Sequence, residues 1–189
     1  MRRWRGLLIR IGVVAALVVA FVWNARQDDI SGAAEARDGD SLVIAGERVR
    51  IFGIDAPELD QDCLDRRGAT YACGRLSQRH LARLAKGDVR CDPVEQDRYG
   101  RTVAICRAGD VDLGAAMVSA GWARAYLSYS LRYASAETAA RDAGRGMWDG
   151  EFDDPWAYRE DGYKDDLISV IWRWVMERLS GLLREVLSA

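Results

Sequence analysis

Three short clusters hold the charged side chains that could do chemistry in this sequence. The first, DGDS at residues 38–41, contains two aspartates at a turn. The second, RIFGIDAPE at residues 50–58, is an apolar strand that opens with an arginine and ends in two carboxylates around a proline. The third, DRYGR at residues 97–101, places another arginine at the start of a strand. Taken singly, each cluster is also typical of a surface turn or an ion pair.

Together the clusters supply the groups that phosphodiester hydrolysis needs. A hard divalent cation takes several oxygen ligands, and Asp40 and Asp55 could supply two of them. Arg50 and Arg101 could neutralise the negative charge that grows on the phosphate oxygens in the transition state. Glu58 is not needed as a ligand, so it could orient or deprotonate the attacking water while the cation acts as a Lewis acid.

Strand-like and helical patterns around the clusters predict the elements that must position them. Gly46-Glu47 and Tyr99-Gly100 are hairpin signals between strand-like runs, and Gly87 ends a helical pattern. The predicted strands are Ser41–Ala45, Arg48–Ile54, Asp88–Val94 and Thr102–Arg107, and the predicted helices are Arg75–Lys86, Asp112–Ala120 and Ser135–Ala143. Strands that meander around turns, with helices inserted between them, indicate an α+β fold with a small β-barrel.

In this order and approximate spacing, the three clusters resemble the thermonuclease (staphylococcal-nuclease-like) family. The similarity runs from about Ala34 to Tyr158 and takes in VSAGWARAY at Val118–Tyr126 and GRGMWDGEFDDPW at Gly144–Trp156. The resemblance implies a five-stranded OB-type barrel with about three helices, in a domain over residues 34–160. It also implies a calcium-dependent endonuclease, a phosphodiesterase that hydrolyses DNA, RNA or both and prefers single strands.

The resemblance further implies a role for each position of the site. Asp40 and Asp55 are implied as side-chain ligands of Ca²⁺, with the backbone carbonyl of Ala56 as a third ligand. The implied catalytic residues are Arg50, Glu58 and Arg101. The implied substrate-binding residues, which would flank a nucleotide, are Tyr99 and Tyr126, with Tyr129 as a further candidate. All the charged positions are present, which favours an active enzyme over the alternative of a non-catalytic module that binds nucleic acid or protein at a membrane.

The net charge limits how this chain could hold nucleic acid. It has 27 Lys and Arg residues against 29 Asp and Glu residues, which gives a net charge of -2. Four of the arginines lie in the first 25 residues, which leaves 23 basic residues against 29 acidic ones, or -6, in the rest. This is the wrong sign for tight, nonspecific coating of nucleic acid. Binding must instead come from a local site lined by arginine and a bound cation.

The N-terminal segment predicts export. Residues 1–25 combine early arginines with an apolar run from Ile11 to Trp23, which is typical of a signal anchor or a signal peptide. The domain is then expected on the periplasmic side of the inner membrane if the segment is retained, and in the periplasm or secreted if it is removed. Residues 26–33 are polar and predict a linker between this segment and the domain.

The four cysteines fit an oxidising compartment, and three pairings of them are possible. The pair Cys91–Cys106 is favoured because these residues lie on predicted strands that flank the Arg98–Arg101 turn. Cys63–Cys73 would then close a local loop. Free, buried cysteines are the alternative interpretation.

Residues 164–189 predict an amphipathic C-terminal helix. Its apolar stripe consists of Ile168, Ile171, Trp172, Val175, Leu179, Leu182, Leu183 and Val186. The stripe could pack back on its own domain, lie at a membrane surface or drive self-association through residues 167–187.

Overall fold

A closed five-stranded β-barrel forms the centre of the protein, whose structure, a computed structural model, describes residues 29–160. In chain order the strands are β1 (Ile30–Ala36), β2 (Ser41–Ile44), β3 (Glu47–Ile51), β4 (Ile54–Asp55), β5 (Cys63–Leu64), β6 (Thr70–Tyr71), β7 (Asp88–Gln96), β8 (Thr102–Ala108), β9 (Val111–Asp112) and β10 (Arg124–Ala125). Neighbouring barrel strands follow the order β3-β2-β1-β7-β8, and a parallel pairing between β3 and β8 closes the barrel. The α+β barrel predicted from the sequence is confirmed.

The β2–β3 hairpin turns one residue earlier than its sequence predicts. Ile44 pairs with Glu47, so the loop consists of Ala45 and Gly46, whose φ angles are 51° and 86°. Positive φ at both central residues is typical of the two-residue turns whose twist matches that of the flanking strands. The predicted Gly46-Glu47 turn is therefore wrong by one residue, because Ala45 takes a left-handed conformation that its residue type does not indicate.

The predicted strand Arg48–Ile54 is divided in two. Gly53 has a φ of 71°, which breaks the strand after Ile51 and lets β4 leave the barrel. β4 then pairs with β10, with Asp55 opposite Arg124. The break matters for the site because it carries Asp55 away from the barrel sheet and towards the C-terminal part of the described chain.

Both predicted disulfides are present. Cys91 and Cys106 lie directly opposite each other on β7 and β8, with their Cα atoms 4.0 Å apart. Cys63 and Cys73 join β5 to the first residue of the helix that follows, across a sequence separation of 10. The cysteines of the described chain are all paired, so the alternative of free thiols is wrong.

Removing the barrel disulfide is expected to lower stability markedly. A bridge that closes a loop of this length, with a sequence separation of 15, contributes about 3 kcal/mol by restricting the unfolded chain. We therefore expect the variant with Cys91→Ala and Cys106→Ala to lose about 3 kcal/mol in urea unfolding at neutral pH. Reduction of the unaltered protein should lower its melting temperature as well. Unchanged unfolding in both experiments would contradict the role assigned to this bridge.

Three α-helices cover the barrel within the described residues: α1 (Cys73–Leu84), α2 (Leu113–Ser119) and α3 (Ala134–Asp142). α1 packs against β1 and α2, and α2 packs against α3. A short 3₁₀ helix follows at Gly146–Asp149, and residues 155–160 are helical. The barrel strands and helices share one core, whose largest members include Leu42, Ile44, Val49, Ile51, Leu81, Val89, Leu113, Met117 and Val118. The predicted helices are confirmed, with bounds that differ by about one or two residues.

β1 corrects the predicted linker over residues 26–33. Residues 30–33 pair with β7, and residues 34–36 pair with β2. The segment contains mostly small residues, ISGAAEA, so it lacks the strong apolar alternation that marks most strands. Main-chain hydrogen bonds to neighbours on both sides hold it in the barrel instead.

The leader at residues 1–25 and the amphipathic helix at residues 164–189 lie outside the described residues, so both stay predictions, as does export. Between residues 29 and 160, the structure contains no helix that is long and apolar enough to cross a membrane.

Candidate active site

The three charged clusters meet at one cleft of about 860 Å³ at the side of the barrel. Ser41 pairs with Arg50 across β2 and β3, which places the first cluster beside the second. Arg50 also pairs with Val103 across β3 and β8, which brings the third cluster to the same place. The predicted site residues that line the cleft are Asp40, Arg50, Ala56, Glu58, Tyr99, Arg101, Tyr126 and Tyr129. Asp55 lies against Arg50 beneath them.

Asp40 is buried, and its carboxylate is held from several sides. Oδ2 accepts a hydrogen bond of 3.1 Å from the backbone N–H of Ala56. Oδ1 accepts one of 3.1 Å from the Ser41 hydroxyl. The backbone of Asp40 is also fixed, since its N–H donates to the Asp38 carboxylate at 2.9 Å and its carbonyl accepts from Ile51 at 2.8 Å. The side chain therefore has one position in the cleft, set by the turn and by β3.

Gly39 allows this turn to approach α1 and the loop after β4. A Cβ atom at this position would lie 2.0 Å from the Ser77 hydroxyl and 2.6 Å from the Ala56 Cβ. Both distances are far below van der Waals contact. The Asp-Gly-Asp sequence of the first cluster is thus required by packing, because only glycine lets Asp40 reach the backbone of Ala56.

Arg50 joins the two buried aspartates. Its Nη2 atom lies 2.8 Å from Asp55 Oδ1 and 3.0 Å from Asp40 Oδ2. Its Nη1 atom donates a longer bond, 3.3 Å, to Asp40 Oδ1. The second aspartate comes from β4, so the strand break at Gly53 is what allows one guanidinium to contact both carboxylates.

Burial and the neighbouring charges shift the pKa values of Asp40, Asp55 and Arg50. Removal from water raises the pKa of Asp40 above its usual value, although the positive charge of Arg50 opposes the rise. Burial and the nearby Asp40 charge raise the pKa of Asp55 in the same way, against Arg159 and Arg50. Burial would lower the pKa of Arg50, but the two aspartates more than offset this, and its pKa is raised. The guanidinium therefore stays charged between two carboxyls that favour added positive charge.

The donor atoms here fit a hard divalent cation. Asp40 and Asp55 offer carboxylate oxygens that approach one nitrogen atom, and the backbone of Ala56 lies directly beside Asp40. Oxygen donors of this kind suit Ca²⁺ or Mg²⁺. Within residues 29–160 there is no group of three or more His, Cys, Asp or Glu side chains arranged to hold a metal ion. The predicted set of two carboxylates and one carbonyl does not require such a group.

Glu58 stands on a loop whose backbone is tightly held. Its N–H donates to Gln61 Oε1 at 3.2 Å, and its carbonyl accepts from the Gln61 N–H at 2.9 Å. Gln61 is fully buried, and its Nε2 atom donates to the carbonyl of Asp153 at 2.8 Å. A Cβ atom on Gly74 would lie 1.7 Å from the Glu58 carbonyl, so α1 also packs against this loop. The carboxylate itself remains partly exposed in the cleft.

Arg101 is presented by the turn between β7 and β8. Asp97 Oδ1 accepts from the N–H groups of Tyr99 and Arg101, both at 2.9 Å, and Oδ2 accepts from Arg101 Nε at 2.7 Å. Burial would raise the pKa of Asp97, but these bonds outweigh it and hold the pKa below its usual value. Because only Nε is used, the two terminal nitrogens of Arg101 have no acceptor among the described residues and remain available to a ligand.

Three exposed tyrosines surround these charges. Tyr99 is 61% exposed, and the guanidinium carbons of Arg98 and Arg101 lie 4.9 Å and 5.7 Å from the centre of its ring. Tyr126 and Tyr129 stack with their ring centres 6.0 Å apart. A hydrogen bond from Tyr129 to the carboxylate of Glu95 raises the pKa of Tyr129 to about 12. The cleft therefore combines aromatic faces with arginines at its rim.

The family of this chain follows from its similarity to known proteins. Residues 48–150, more than half of the chain, match the family model described as staphylococcal nuclease homologue. The chain belongs to the staphylococcal nuclease homologue family. The resemblance carried by the three clusters is thus confirmed, and the matched region contains Arg50, Asp55, Glu58 and Arg101.

Individual relatives of this staphylococcal nuclease homologue align over most of its length. The succinoglycan biosynthesis protein ExoI of Rhizobium meliloti (strain 1021) is 40% identical over 143 residues, which cover 73% of this chain and 74% of that protein. A micrococcal nuclease of Shigella flexneri is 31% identical over 175 residues, covering 82% of this chain and 95% of the relative. An uncharacterized endonuclease of Escherichia coli is 30% identical over 156 residues, covering 77% and 95%.

Two residues of this family member that contact the site were not found from its sequence. Gln61 was missed because a buried glutamine leaves no pattern, and its partner Asp153 lies 92 residues away. Arg159 was missed because it follows the similarity that ends near Tyr158. A single arginine in an arginine-rich chain carries no signal of its own. The site roles themselves stay predictions.

Proposed function

We propose that this protein is a calcium-dependent endonuclease that hydrolyses phosphodiester bonds of DNA or RNA, preferably in single strands, by metal-assisted attack of water. Membership of the staphylococcal nuclease homologue family supports a nuclease, and two relatives are named a micrococcal nuclease and an endonuclease. The observation that carries the finer proposal is the meeting of Arg50, Glu58 and Arg101 at one cleft above two buried aspartates.

Each group has a distinct task in this proposal. Asp40 and Asp55 would hold the cation, which when bound would polarise a phosphate oxygen as a Lewis acid. Glu58 accepts a proton from the attacking water, since its carboxylate is partly exposed in the cleft on a loop that cannot shift easily. Arg50 and Arg101 donate to the phosphate oxygens as negative charge grows on them.

The rim of the cleft supports a single-stranded substrate. Unpaired bases can stack on exposed aromatic rings regardless of sequence, and such stacking contributes about 1–3 kcal/mol per base. Tyr99, Tyr126 and Tyr129 each have a ring at least partly exposed at the cleft. Because the chain outside its first 25 residues is acidic, these rings and the local arginines must supply the affinity that net charge does not.

The first test is a cleavage assay on single-stranded DNA and single-stranded RNA, in which the calcium concentration is varied. We expect cleavage to rise with calcium to a plateau and to stop when a chelator is added, because the cation that the two aspartates would hold is the Lewis acid that polarises the phosphate oxygen. The Glu58→Gln variant, purified identically, measures any contaminating nuclease.

The outcomes separate the proposal from its alternatives. Cleavage that continues in chelator would contradict the calcium requirement. Binding of single-stranded DNA without cleavage at any calcium concentration would identify the protein as a non-catalytic binding module instead. A protein that acts only with another divalent cation would keep the nuclease and correct the metal.

A further inference from the structure

Arg159 reaches two carboxylates of the candidate site from the far end of the described chain. Its Nη2 atom donates to both Asp55 oxygens, at 3.0 Å each. Its Nη1 atom donates to Glu58 Oε1 at 2.8 Å. The residue lies in the helical segment 155–160, and it is separated from Asp55 by 104 positions. One guanidinium thus bridges a predicted metal ligand and the predicted general base.

These contacts leave Asp55 with both oxygens engaged by arginine. Oδ1 accepts from Arg50 at 2.8 Å as well as from Arg159, and Oδ2 accepts from Arg159. A cation that Asp55 ligates needs at least one of the same oxygens. It would also stand close to the guanidinium, so like charges would repel. Arg159 and the cation therefore have opposing requirements at one carboxylate.

We infer that Arg159 competes with the divalent cation for Asp55 and so weakens cation binding. This competition sets the calcium concentration at which the enzyme becomes active. This inference rests on the proposed function, because it requires the cation site at Asp40 and Asp55. When Arg159 is displaced from Asp55, its Nη1 atom can still donate to Glu58. Arg159 can therefore release Asp55 without leaving the cleft.

A purely structural role for Arg159 predicts a different change in calcium affinity when the residue is replaced. If its ion pairs only anchored the helical segment 155–160, their removal would loosen the site and would weaken cation binding or leave it unchanged. Removal of a competitor must instead strengthen cation binding. The sign of the change in calcium affinity therefore distinguishes the two roles, and catalytic activity is not needed to read it.

The test is calorimetric titration of calcium into the full chain, comparing the unaltered protein with Arg159→Gln. Glutamine removes the charge and cannot bridge Asp55 and Glu58. Arg79→Gln is the matched control, because it removes one positive charge from an exposed position of α1 that makes no hydrogen bond or ion pair within residues 29–160. We expect about a tenfold lower calcium Kd for Arg159→Gln, since charged hydrogen bonds at Asp55 no longer compete, and an unchanged Kd for Arg79→Gln.

A second variant keeps the test decisive if Arg159→Gln does not fold. Arg159→Lys retains the charge, but its single ammonium group cannot span both carboxylates as a planar guanidinium does. We expect about a threefold lower Kd for it, in the same direction but smaller. An unchanged or higher Kd in the folded variants would overturn the competition. Absence of calcium binding in every protein tested would overturn the proposed cation site, and this inference with it.

Discussion

Replacing Glu58 with glutamine is expected to lower kcat for calcium-dependent cleavage by about 10²–10⁴-fold, the range that a general base contributes. Glutamine has nearly the same shape, but its amide cannot accept the proton that the attacking water must lose. We expect KM and the calcium Kd to change little, because the carboxylate is assigned neither to substrate binding nor to the metal. Steady-state kinetics on single-stranded DNA at saturating calcium measure the effect.

The fold should tolerate this change. The loop is held through the backbone N–H and carbonyl of Glu58, by Gln61 and by the close approach of Gly74, and none of these contacts uses the carboxylate. A glutamine oxygen can also still accept the bond from Arg159. We therefore expect the melting temperature to stay close to that of the unaltered protein, so that lost activity cannot be attributed to unfolding.

A control with the same chemical change is available at Glu47, an exposed residue at the start of β3. Glu47→Gln removes one negative charge from the barrel but none from the cleft, so its kcat should match that of the unaltered protein. If Glu58→Gln retained kcat within about tenfold, which is less than a general base contributes, the attacking water would have to be activated by another group.

The local half of this site could be predicted from the sequence, and the elements show why. The Asp-Gly turn and the hairpin of β2 and β3 are formed by residues close together in the chain, so their patterns predict the hairpin that joins the first two clusters, with an error of one residue in its turn. The bridge Cys91–Cys106 followed from the same kind of reasoning about two strands and one turn. When two residues are close together in the chain, the local sequence pattern is enough to predict that they are close in space.

The remaining half depends on pairings that no local pattern encodes. Arg101 joins the cleft because β3 and β8 pair in parallel, across about fifty residues of sequence. The family resemblance implied that proximity, but hydrophobic alternation did not. Gly53 was predicted to lie within a strand, yet its positive φ ends β3 and sends Asp55 to Arg50 and Arg159. The position of Arg159 follows from tertiary packing alone.

The cleft lining contains as many acidic residues as arginines, so binding of the proposed anionic substrate depends on which arginines are free to contact it. The arginines that line the cleft come from three parts of the chain: Arg48 and Arg50 from β3, Arg98 and Arg101 from the turn between β7 and β8, and Arg159 from the helical segment 155–160. Several of them are already bonded to acids. Asp40 and Asp55 engage Arg50, whereas Asp97 engages only Nε of Arg101. Of the two predicted catalytic arginines, Arg101 is therefore the one whose terminal nitrogens can turn to a phosphate without first breaking an ion pair.

This availability makes Arg101→Ala the second variant with a large expected effect. Loss of a preorganised donor to the developing charge typically lowers kcat by about 10²–10³-fold, and we expect a loss of this size in kcat/KM. Arg101→Lys should recover part of it, because the charge remains but the two-pronged geometry does not.

The turn that carries Arg101 should survive the substitution. Asp97 keeps the N–H donors of residues 99 and 101, which are backbone groups, and loses only the Nε bond. We expect urea unfolding to show a loss of about 1 kcal/mol or less. Arg107→Ala, on β8 just after this turn but paired with Asp92 away from the cleft lining, is the matched control and should keep full activity. Equal kcat/KM for Arg101→Ala and Arg107→Ala would remove Arg101 from the mechanism and leave charge stabilisation to Arg50 and the cation. A loss confined to Arg101→Ala would support a catalytic role for the arginine that the parallel pairing of β3 with β8 brings to the cleft.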